Sequence, residues 1–317
     1  MSAAPQADTA EAIAGFLRGL GTGLGSGLDP ATAAERAASG LPKRLRDSVE
    51  RAARRMRGDY HEDEWGFDEE FAEAVFPFFE FLYERWWRIE ADGLVNVPSH
   101  GRALIVSNHA GSLFPFDGTM ITGAIMKEHP LPRWPKIMVL NWAFVLPFLS
   151  FFMRRVGGLP ASPHNAARAL EQDHLVMVFP EGVKGTGKPF SERYRLQRFG
   201  RGGFVEVALR AQAPIVPVAV VGSEEIYPLI GNSSALARLS GAPFAPITPT
   251  FPWLGPLGLI PLPSKWRIEF CPPIDLSEYP PEAAEDRRLV FDLSEQVRET
   301  IQEKLYENLV KRGSAFI

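Results

Sequence analysis

Short apolar runs alternate with longer stretches of helical periodicity from about residue 91 onward. Five of these runs are rich in β-branched residues and predict strands at 103–107, 136–140, 175–179, 215–221 and 266–271. Five longer stretches predict helices at 117–127, 141–153, 163–173, 203–212 and 284–312. Strands that alternate with helices are typical of an α/β fold. We therefore expect a mixed, largely parallel sheet flanked by helices.

The residues before this region predict a helical extension. Residues 1–40 are rich in Ala, Gly and Thr, which indicates a flexible lead-in with a short helix at 10–19. Residues 41–57 predict a helix with seven basic residues and two acidic ones. Such a helix can lie on an anionic membrane, and it can equally be a solvated surface helix.

The segment 68–90 is the aromatic part of this extension. It carries eight aromatic residues and predicts a helix with a kink at Pro77. Aromatic side chains at this density either pack on a core or lie at a membrane interface. We therefore divide the chain into a flexible lead-in at 1–40, a helical extension at 41–90 that could associate with a membrane, and a main domain at 91–317.

Two further stretches are strongly apolar. Residues 137–153 form a run that Asn141, Pro147 and Ser150 interrupt. A membrane-spanning helix needs roughly 20 apolar residues, so we expect a buried or interfacial segment here. Residues 243–264 contain seven prolines, which prevent a regular helix or a central strand. An apolar loop of this kind must be buried or must face a lipid or partner surface.

Composition narrows the classes of function. The chain has 317 residues, of which 45% are hydrophobic, and this is enough for a sizeable core. The net charge of −4 gives no indication of a nucleic-acid binder. The single cysteine, Cys271, excludes an intrachain disulfide framework and fits a reducing compartment. The six histidines show no metal-site spacing, and the N-terminus lacks the pattern of a secretory signal.

The motif FPEGVKGTGKPF at 179–190 nearly matches a nucleotide-binding P-loop. Its spacing from Gly182 to Lys188 is G-x4-G-K. In a P-loop the lysine is followed by Ser or Thr, whose hydroxyl binds magnesium. Pro189 takes that place here and also removes a backbone N–H from the phosphate cradle. The context of the motif therefore argues against a nucleotide site.

The stretch IVSNHAGSLFPFDG at 105–118 carries candidates for catalysis. A predicted strand runs directly into Asn108 and His109, and α/β sheets bind their ligands at the carboxyl ends of strands. Histidine is the usual general base near neutral pH, and a carboxylate such as Asp117 can fix its tautomer. Taken alone the pair is weak evidence, because Asp117 could also cap a helix.

Three more blocks follow in order: MRRVGGLPAS at 153–162, VFPEGVKG at 178–185 and APIVPVAVVGSEE at 213–225. With the histidine block they resemble, in order and spacing, the four sequence blocks of the glycerolipid acyltransferase family. This family includes glycerol-3-phosphate and lysophosphatidic acid acyltransferases. The resemblance covers roughly residues 90–275.

The resemblance implies roles for single residues. His109 would be the general base and Asp117 its orienting carboxylate, with seven residues between them where the family has four, so the intervening loop must bulge. The acceptor oxygen would attack the thioester directly, since the chain has no G-x-S-x-G nucleophile motif. Substrate contacts are implied at Asn108, Arg155, Gly157, Gly158, Glu181, Gly182 and Lys184.

Lys184 stands where the family commonly has an arginine that contacts the acceptor phosphate. A lysine can hold a phosphate as a point charge but lacks the bidentate fork. It opens a stretch to Arg201 in which six basic residues face one acid. That stretch suits a phosphorylated acceptor or an anionic headgroup, and for the residues beyond Lys184 a solvated basic face is an equal alternative.

The resemblance implies an enzyme that moves a fatty acyl group from acyl-CoA or acyl carrier protein to the hydroxyl of a lysophospholipid or lysophosphatidic acid. It would need no cofactor or metal and would bind no nucleic acid. We expect a cytoplasmic protein, peripheral on the cytoplasmic face of a membrane. Two alternatives stay open: a neutral acceptor (mono- or diacylglycerol or a fatty alcohol), and a non-catalytic, peripheral lipid-binding protein.

Overall fold

The computed structural model describes residues 4–112, 114–145, 147–234, 237–238 and 245–316. The chain divides into two units, Met1–Ala74 and Val75–Ile317. The expected division into domains at residues 40 and 90 stays a prediction.

The first unit is helical and contains α1 (Ala4–Gly25), α2 (Pro30–Ala37) and α3 (Lys43–Met56). We expected a flexible lead-in at 1–40 with one short helix; residues 1–3 lie outside the described residues, and most of the remainder is helix. Small residues account for the difference. A Cβ added at Gly23 would lie 2.9 Å from the Cβ of Ala33. The composition that indicated flexibility therefore allows α1 and α2 to pack closely.

The basic helix α3 is partly neutralised within this unit. Two arginines of α3 form ion pairs, Arg54 with Glu70 and Arg55 with Asp68, and Arg57, directly after the helix, pairs with Glu35. Pairs of this kind are typical of a solvated surface helix, which is the second of the two interpretations offered by the sequence.

The aromatic segment forms α4 (Glu69–Phe81), with Pro77 inside it, followed by a π-helical turn at Leu82–Trp86. The predicted helix at 68–90 therefore ends several residues early. Trp87 is buried and stacks on Trp266, with ring centroids 4.8 Å apart. In contrast, Phe78 and Phe81 are exposed.

A sheet of seven strands forms the centre of the second unit. Among the described residues, the strands are β1 (Glu90–Asp92), β2 (Ala103–Ser107), β3 (Lys136–Val139), β4 (Gly158–Pro160), β5 (Leu175–Val178), β6 (Ile215–Val221), β7 (Gly231–Asn232), β8 (Pro246–Ile247) and β9 (Arg267–Phe270). The seven lie in the order β1-β9-β6-β2-β5-β3-β4, while β7 and β8 form a separate hairpin. Every neighbouring pair in the large sheet is parallel except β6 with β9.

The fold class predicted from the sequence is confirmed. All five predicted strands are present within one or two residues of their expected ends. The sequence did not predict β1 and β4, because each has three residues and includes charged residues or Gly and Pro that are unfavourable in strands. The central strand β2 is buried along its whole length and pairs with β5 on one side and β6 on the other.

The helices of this unit whose bounds the structure describes, after α4, are α5 (Asp117–Glu128), α6 (Pro147–Arg155), α7 (Pro163–Glu171), α8 (Val183–Thr186), α9 (Gly203–Ala211) and α10 (Arg287–Arg312). Two predicted helices need correction. The helix expected at 141–153 is a 3-10 turn at Asn141–Phe144 followed by α6, and Leu146 lies outside the described residues. The helix expected from 284 begins at Arg287, because the Asp286 carboxylate caps it by accepting from the N–H groups of Arg288 and Leu289.

Two apolar patches are exposed. The α6 patch consists of Val145, Phe148 and Phe151, of which Phe148 is 93% exposed. The proline-loop patch consists of Trp253, Leu254, Leu257 and Ile260, in the segment predicted as an irregular apolar loop; Pro243 and Phe244 of that segment lie outside the described residues. Among the helices described, none is both long enough and apolar enough to cross a membrane.

Candidate active site

His109 lies just beyond the carboxyl end of β2 and faces Asp117, the first residue of α5. The Nδ1 atom of His109 is 2.8 Å from Oδ2 of Asp117. The N–H of Ala110 donates to the same oxygen at 2.8 Å, and the N–H of Gly118 donates to Oδ1 at 2.9 Å. Because an ionised carboxylate only accepts hydrogen bonds, this network assigns the ring proton to Nδ1. The lone pair is then on Nε2.

The loop between the two residues makes the bulge that the long spacing requires. Gly111 has φ +88, and a Cβ added there would lie 2.8 Å from the carbonyl oxygen of Phe114. Glycine is therefore needed both for the left-handed backbone and for the close approach. Leu113 lies outside the described residues. The extra residues thus loop out while His109 and Asp117 come together.

The imidazole ring of His109 is held on one face. Phe179 stacks on it, with ring centroids 4.4 Å apart and an angle of 25° between the planes. The His109 side chain is 17% exposed and that of Asp117 is 1% exposed. The histidine can therefore meet a substrate, while its carboxylate partner is shielded from water. Nε2 is the nitrogen left to take a proton.

Glu181, from the FPEG motif, supports the backbone of His109. Its Oε1 accepts the His109 N–H at 2.9 Å, and its Oε2 accepts the Gln197 N–H at 2.6 Å. Its side chain is fully buried. Glu181 was expected to contact the acceptor, but here both of its oxygens are used within the protein.

Two residues that were not among the candidate site residues lie beside Glu181. Lys188 Nζ is 3.8 Å from Glu181 Oε2 and 2.9 Å from Glu224 Oε1, and it donates to the carbonyl of Arg195 at 2.9 Å. We call Glu181, Lys188 and Glu224 the buried charge cluster, since the three side chains are 0%, 2% and 8% exposed.

The buried charge cluster has one cation for two carboxylates. Burial raises the pKa of Glu224 to about 7, Lys188 lowers it in part, and the neighbouring charge of Glu181 raises it further. In the sequence, Lys188 is one of six basic residues in a stretch, and no periodicity there shows that this lysine is buried. Glu224 is one of two adjacent acids in VGSEE. The P-loop interpretation is excluded as well, because Lys188 is held by these carboxylates.

Asn108 was expected to contact substrate, and the structure places it differently. Its side chain is fully buried, its Nδ2 donates to the carbonyl of Val220 at 2.9 Å, and its Oδ1 accepts the Val220 N–H at 2.8 Å. The amide therefore ties the end of β2 to β6 and fixes the position from which His109 projects.

The expected contacts of the second block lie further away. Strand register puts Gly158 level with Ile137, Met177 and Ile105, on a strand three places from β2. At the usual strand spacing this is about 14 Å. Arg155 is mostly buried, and its guanidinium lies over the ring of Phe151. Gly157 has φ +91, and a Cβ on Gly158 would meet the carbonyl of Met153 at 2.8 Å. A substrate role for these three residues stays a prediction.

The two remaining candidates are close to the site. Gly182 precedes α8 with φ +53, and Lys184 is exposed on α8. Gly185, on the same turn, packs against the loop between β2 and α5 that carries His109, which we call the catalytic loop. A Cβ on Gly185 would lie 2.8 Å from the carbonyl oxygen of His109. The loop after β5 therefore lies directly against the loop after β2, and Lys184 projects from it.

Comparison with known proteins identifies relatives of this chain. The family model "Acyltransferase" matches residues 88–221. "Uncharacterized protein Rv0502" of Mycobacterium tuberculosis is 49% identical over 263 residues, which cover 83% of this chain and 73% of that protein. The human "DGAT1/2-independent enzyme synthesizing storage lipids" is 26% identical over 170 residues, which cover 53% of this chain and 51% of that protein.

Among solved structures, the 1-acyl-sn-glycerophosphate (LPA) acyltransferase PlsC of Thermotoga maritima aligns with a TM-score of 0.49 at 18% identity. The alignment covers 75% of this chain and 78% of that one.

Proposed function

The chain belongs to the acyltransferase family, and on that premise we propose that it transfers a fatty acyl group from an acyl thioester to the hydroxyl of a lysophospholipid or lysophosphatidic acid. The observation that carries the proposal is the 2.8 Å contact between His109 Nδ1 and Asp117 Oδ2 at the carboxyl end of β2. The acceptor class rests on the resemblance and on Lys184, an exposed cation on the turn that packs against His109.

The reaction uses His109 first as a base and then as an acid. Nε2 takes the proton of the acceptor hydroxyl while its oxygen attacks the thioester carbonyl carbon. Asp117 stabilises the imidazolium that forms, because its carboxylate is already bonded to Nδ1. When the tetrahedral intermediate collapses, the C–S bond breaks and the thiolate takes the proton from Nε2. The products are an ester and a free thiol carrier.

The two apolar patches support a membrane surface as partner and a peripheral position on it. The α6 patch follows β3, whose carboxyl end lies at the same edge of the sheet as that of β2. The proline loop is tied to the catalytic loop through Tyr227, whose hydroxyl donates to the carbonyl of Leu259 and whose carbonyl accepts from Ser112. Exposed apolar area beside a lipid-processing site suits contact with the bilayer that holds the acceptor.

A neutral acceptor is the second candidate. The relatives named as enzymes that synthesise storage lipids favour it, because they match 53% of this chain. A monoacylglycerol or diacylglycerol has no phosphate and would make no use of Lys184. The two acceptor classes therefore differ in whether the acceptor contacts Lys184.

The test is release of free thiol from palmitoyl-CoA and from palmitoyl-acyl carrier protein. Acceptors are lysophosphatidic acid, lysophosphatidylcholine, glycerol-3-phosphate and monoacylglycerol, each with wild type, His109→Ala and Lys184→Ala. We expect acceptor-dependent release that His109→Ala abolishes. With a phosphorylated acceptor, Lys184→Ala should raise KM.

Other outcomes would change the assignment. Strong release with monoacylglycerol that Lys184→Ala leaves unchanged would establish the neutral acceptor. Release that survives His109→Ala would contradict the mechanism. If no pair of donor and acceptor gives thiol release while the protein still binds vesicles, the result would favour the alternative of a non-catalytic lipid-binding protein.

A further inference from the structure

A concave site outside the candidate active site is lined in part by residues of the segment 191–195. It is an open groove of about 360 Å³, and its lining includes Ser191, Arg193, Arg195, Tyr194, Tyr306 and Arg312. A volume of this size accommodates a group as large as a nucleotide. None of the roles assigned above uses these side chains.

Three arginines give the groove its charge, and they differ in their pairing. Arg312 is buried and binds Glu225 through both of its terminal nitrogens, so that pair is neutral. Arg193 and Arg195 are exposed, and neither forms an ion pair with a carboxylate among the described residues. Two positive charges are therefore available to a ligand.

Arg193 is held in position although it has no carboxylate partner. Its guanidinium lies over the ring of Phe190, with its central carbon 4.4 Å from the ring centroid, and Nη1 donates to the carbonyl of Phe190 at 3.2 Å. An arginine oriented in this way loses less side-chain freedom when it binds a phosphate, and its planar fork suits phosphate oxygens.

The segment that lines the groove is connected to His109 through Lys188 and Glu181. The Arg195 carbonyl accepts from Lys188 Nζ, and two residues later the Gln197 N–H donates to Glu181, whose other oxygen holds the His109 N–H. A ligand in the groove therefore contacts a segment whose backbone is bonded to Lys188 and to Glu181, the residue that holds the His109 N–H. A long, flexible molecule could occupy both places at once.

The ligand that fits is an acyl donor with phosphates at the end remote from its thioester. We propose that this groove binds the nucleotide end of coenzyme A, with Arg193 and Arg195 on its phosphates and Tyr306 stacked on its adenine. Tyr306 is 52% exposed, which leaves a ring face for a base. The inference rests on the proposed function and selects acyl-CoA over acyl carrier protein, which offers a single phosphodiester and no base.

The test compares two donors that share a thioester and a pantetheine arm. Palmitoyl-CoA carries the nucleotide and palmitoyl-pantetheine lacks it. For the double variant Arg193→Gln/Arg195→Gln we expect KM for palmitoyl-CoA to rise about tenfold, because two charge-assisted contacts with phosphate are lost at an exposed site. The rise for palmitoyl-pantetheine should be much smaller. The matched control is Arg210→Gln/Arg288→Gln, which removes two exposed arginines that do not line the groove.

A binding measurement keeps the groove separate from the reaction. Adenosine 3′,5′-bisphosphate should bind wild type and the control in calorimetry, and bind the double variant and Tyr306→Ala more weakly. This holds even if wild type shows no acyl transfer, so failure of the proposed function can be told from failure of the groove. Two outcomes for the double variant would overturn the proposal directly: equal KM changes for both donors, and unchanged binding of the bisphosphate. The proposal would also be overturned if the KM change were confined to palmitoyl-acyl carrier protein, or if the variant lost only its binding to phosphatidylglycerol vesicles.

Discussion

The buried charge cluster and the α6 patch reverse the usual distribution of side chains in opposite ways. In the cluster, Glu181, Lys188 and Glu224 are charged groups with almost no exposed surface. In the patch, Val145 and Phe148 are apolar groups that are 75% and 93% exposed. Burying charge is costly unless the charges are paired, and exposing large apolar side chains forgoes hydrophobic stabilisation.

The difference between the two regions indicates what each contributes. The cluster orders backbone, because Glu181 fixes the N–H groups of His109 and Gln197. In the patch, Val145 and Phe148 project into solvent and are available to an external apolar phase. We therefore expect changes in the cluster to alter stability and turnover together, and changes in the patch to alter only access to lipid.

The largest expected effect concerns Asp117, the carboxylate paired with His109, whose backbone N–H is held by Glu181 of the cluster. Asp117→Asn replaces a negative charge with a neutral amide and should lower kcat by about 10²–10⁴-fold, the range for loss of general-base catalysis. Thiol-release kinetics measure it. Asp173→Asn is the control, since Asp173 is an exposed acid that pairs with Arg102. A decrease of less than tenfold for Asp117→Asn would contradict its role.

The cluster itself is tested by Lys188→Met. The substitution leaves Glu181 and Glu224 buried together without their cation, and breaking such a group costs about 3–5 kcal/mol in the free energy of unfolding. Urea unfolding followed by circular dichroism measures the loss. Lys184→Met, on the exposed side of the same loop, should stay within about 0.5 kcal/mol of wild type. Equal effects of the two lysine substitutions would show that the cluster is not holding the loop.

These two lysines also show where sequence reasoning stops. Both belong to one basic stretch, and nothing in the spacing shows that Lys188 points inward while Lys184 points outward. The strands, by contrast, were predictable, because buried runs such as 103–107 and 215–221 are continuously apolar. His109 and Asp117 were identified through the order of four sequence blocks, whereas the internal roles of Asn108 and Glu181 depend on long-range contacts with Val220 and Gln197. A local pattern does not encode such contacts.

The α6 patch is tested by Val145→Ser/Phe148→Ser. Each side chain that leaves an apolar phase costs about 1.5–3 kcal/mol, so binding to phosphatidylglycerol vesicles should weaken at least about tenfold. The free energy of unfolding should not change, because both side chains are already exposed. Phe291→Ser/Val310→Ser removes matched exposed side chains from α10 and serves as the control. Equal losses for both pairs would mean that the patch is not the docking surface.

The smallest effect is a pH dependence of stability within the cluster. The pKa of Glu224 is raised from 4.5 to about 7 in the folded protein by burial. Its folded state therefore holds a proton that the unfolded state releases, and its contribution is favourable below about pH 4.5 and is lost as pH rises toward 7. Between pH 5 and 7, wild type should lose on the order of 1–2 kcal/mol of stability relative to Glu224→Gln. Urea unfolding of both proteins across that range measures it, and parallel curves would refute it.

Glu224 and Glu225 are neighbours in the chain, yet they hold partners that are far apart in sequence. Glu224 holds Lys188, while Glu225 holds Arg312 near the end of α10. Tyr194 connects the two, since its N–H donates to Glu224 and its hydroxyl accepts from Arg312 and from the Gly222 N–H. During synthesis on the ribosome, this bracing cannot form before residue 312 emerges. We therefore expect full activity only after the last turn of α10 has left the exit tunnel, and a stalled chain that ends before residue 312 should be deficient in turnover.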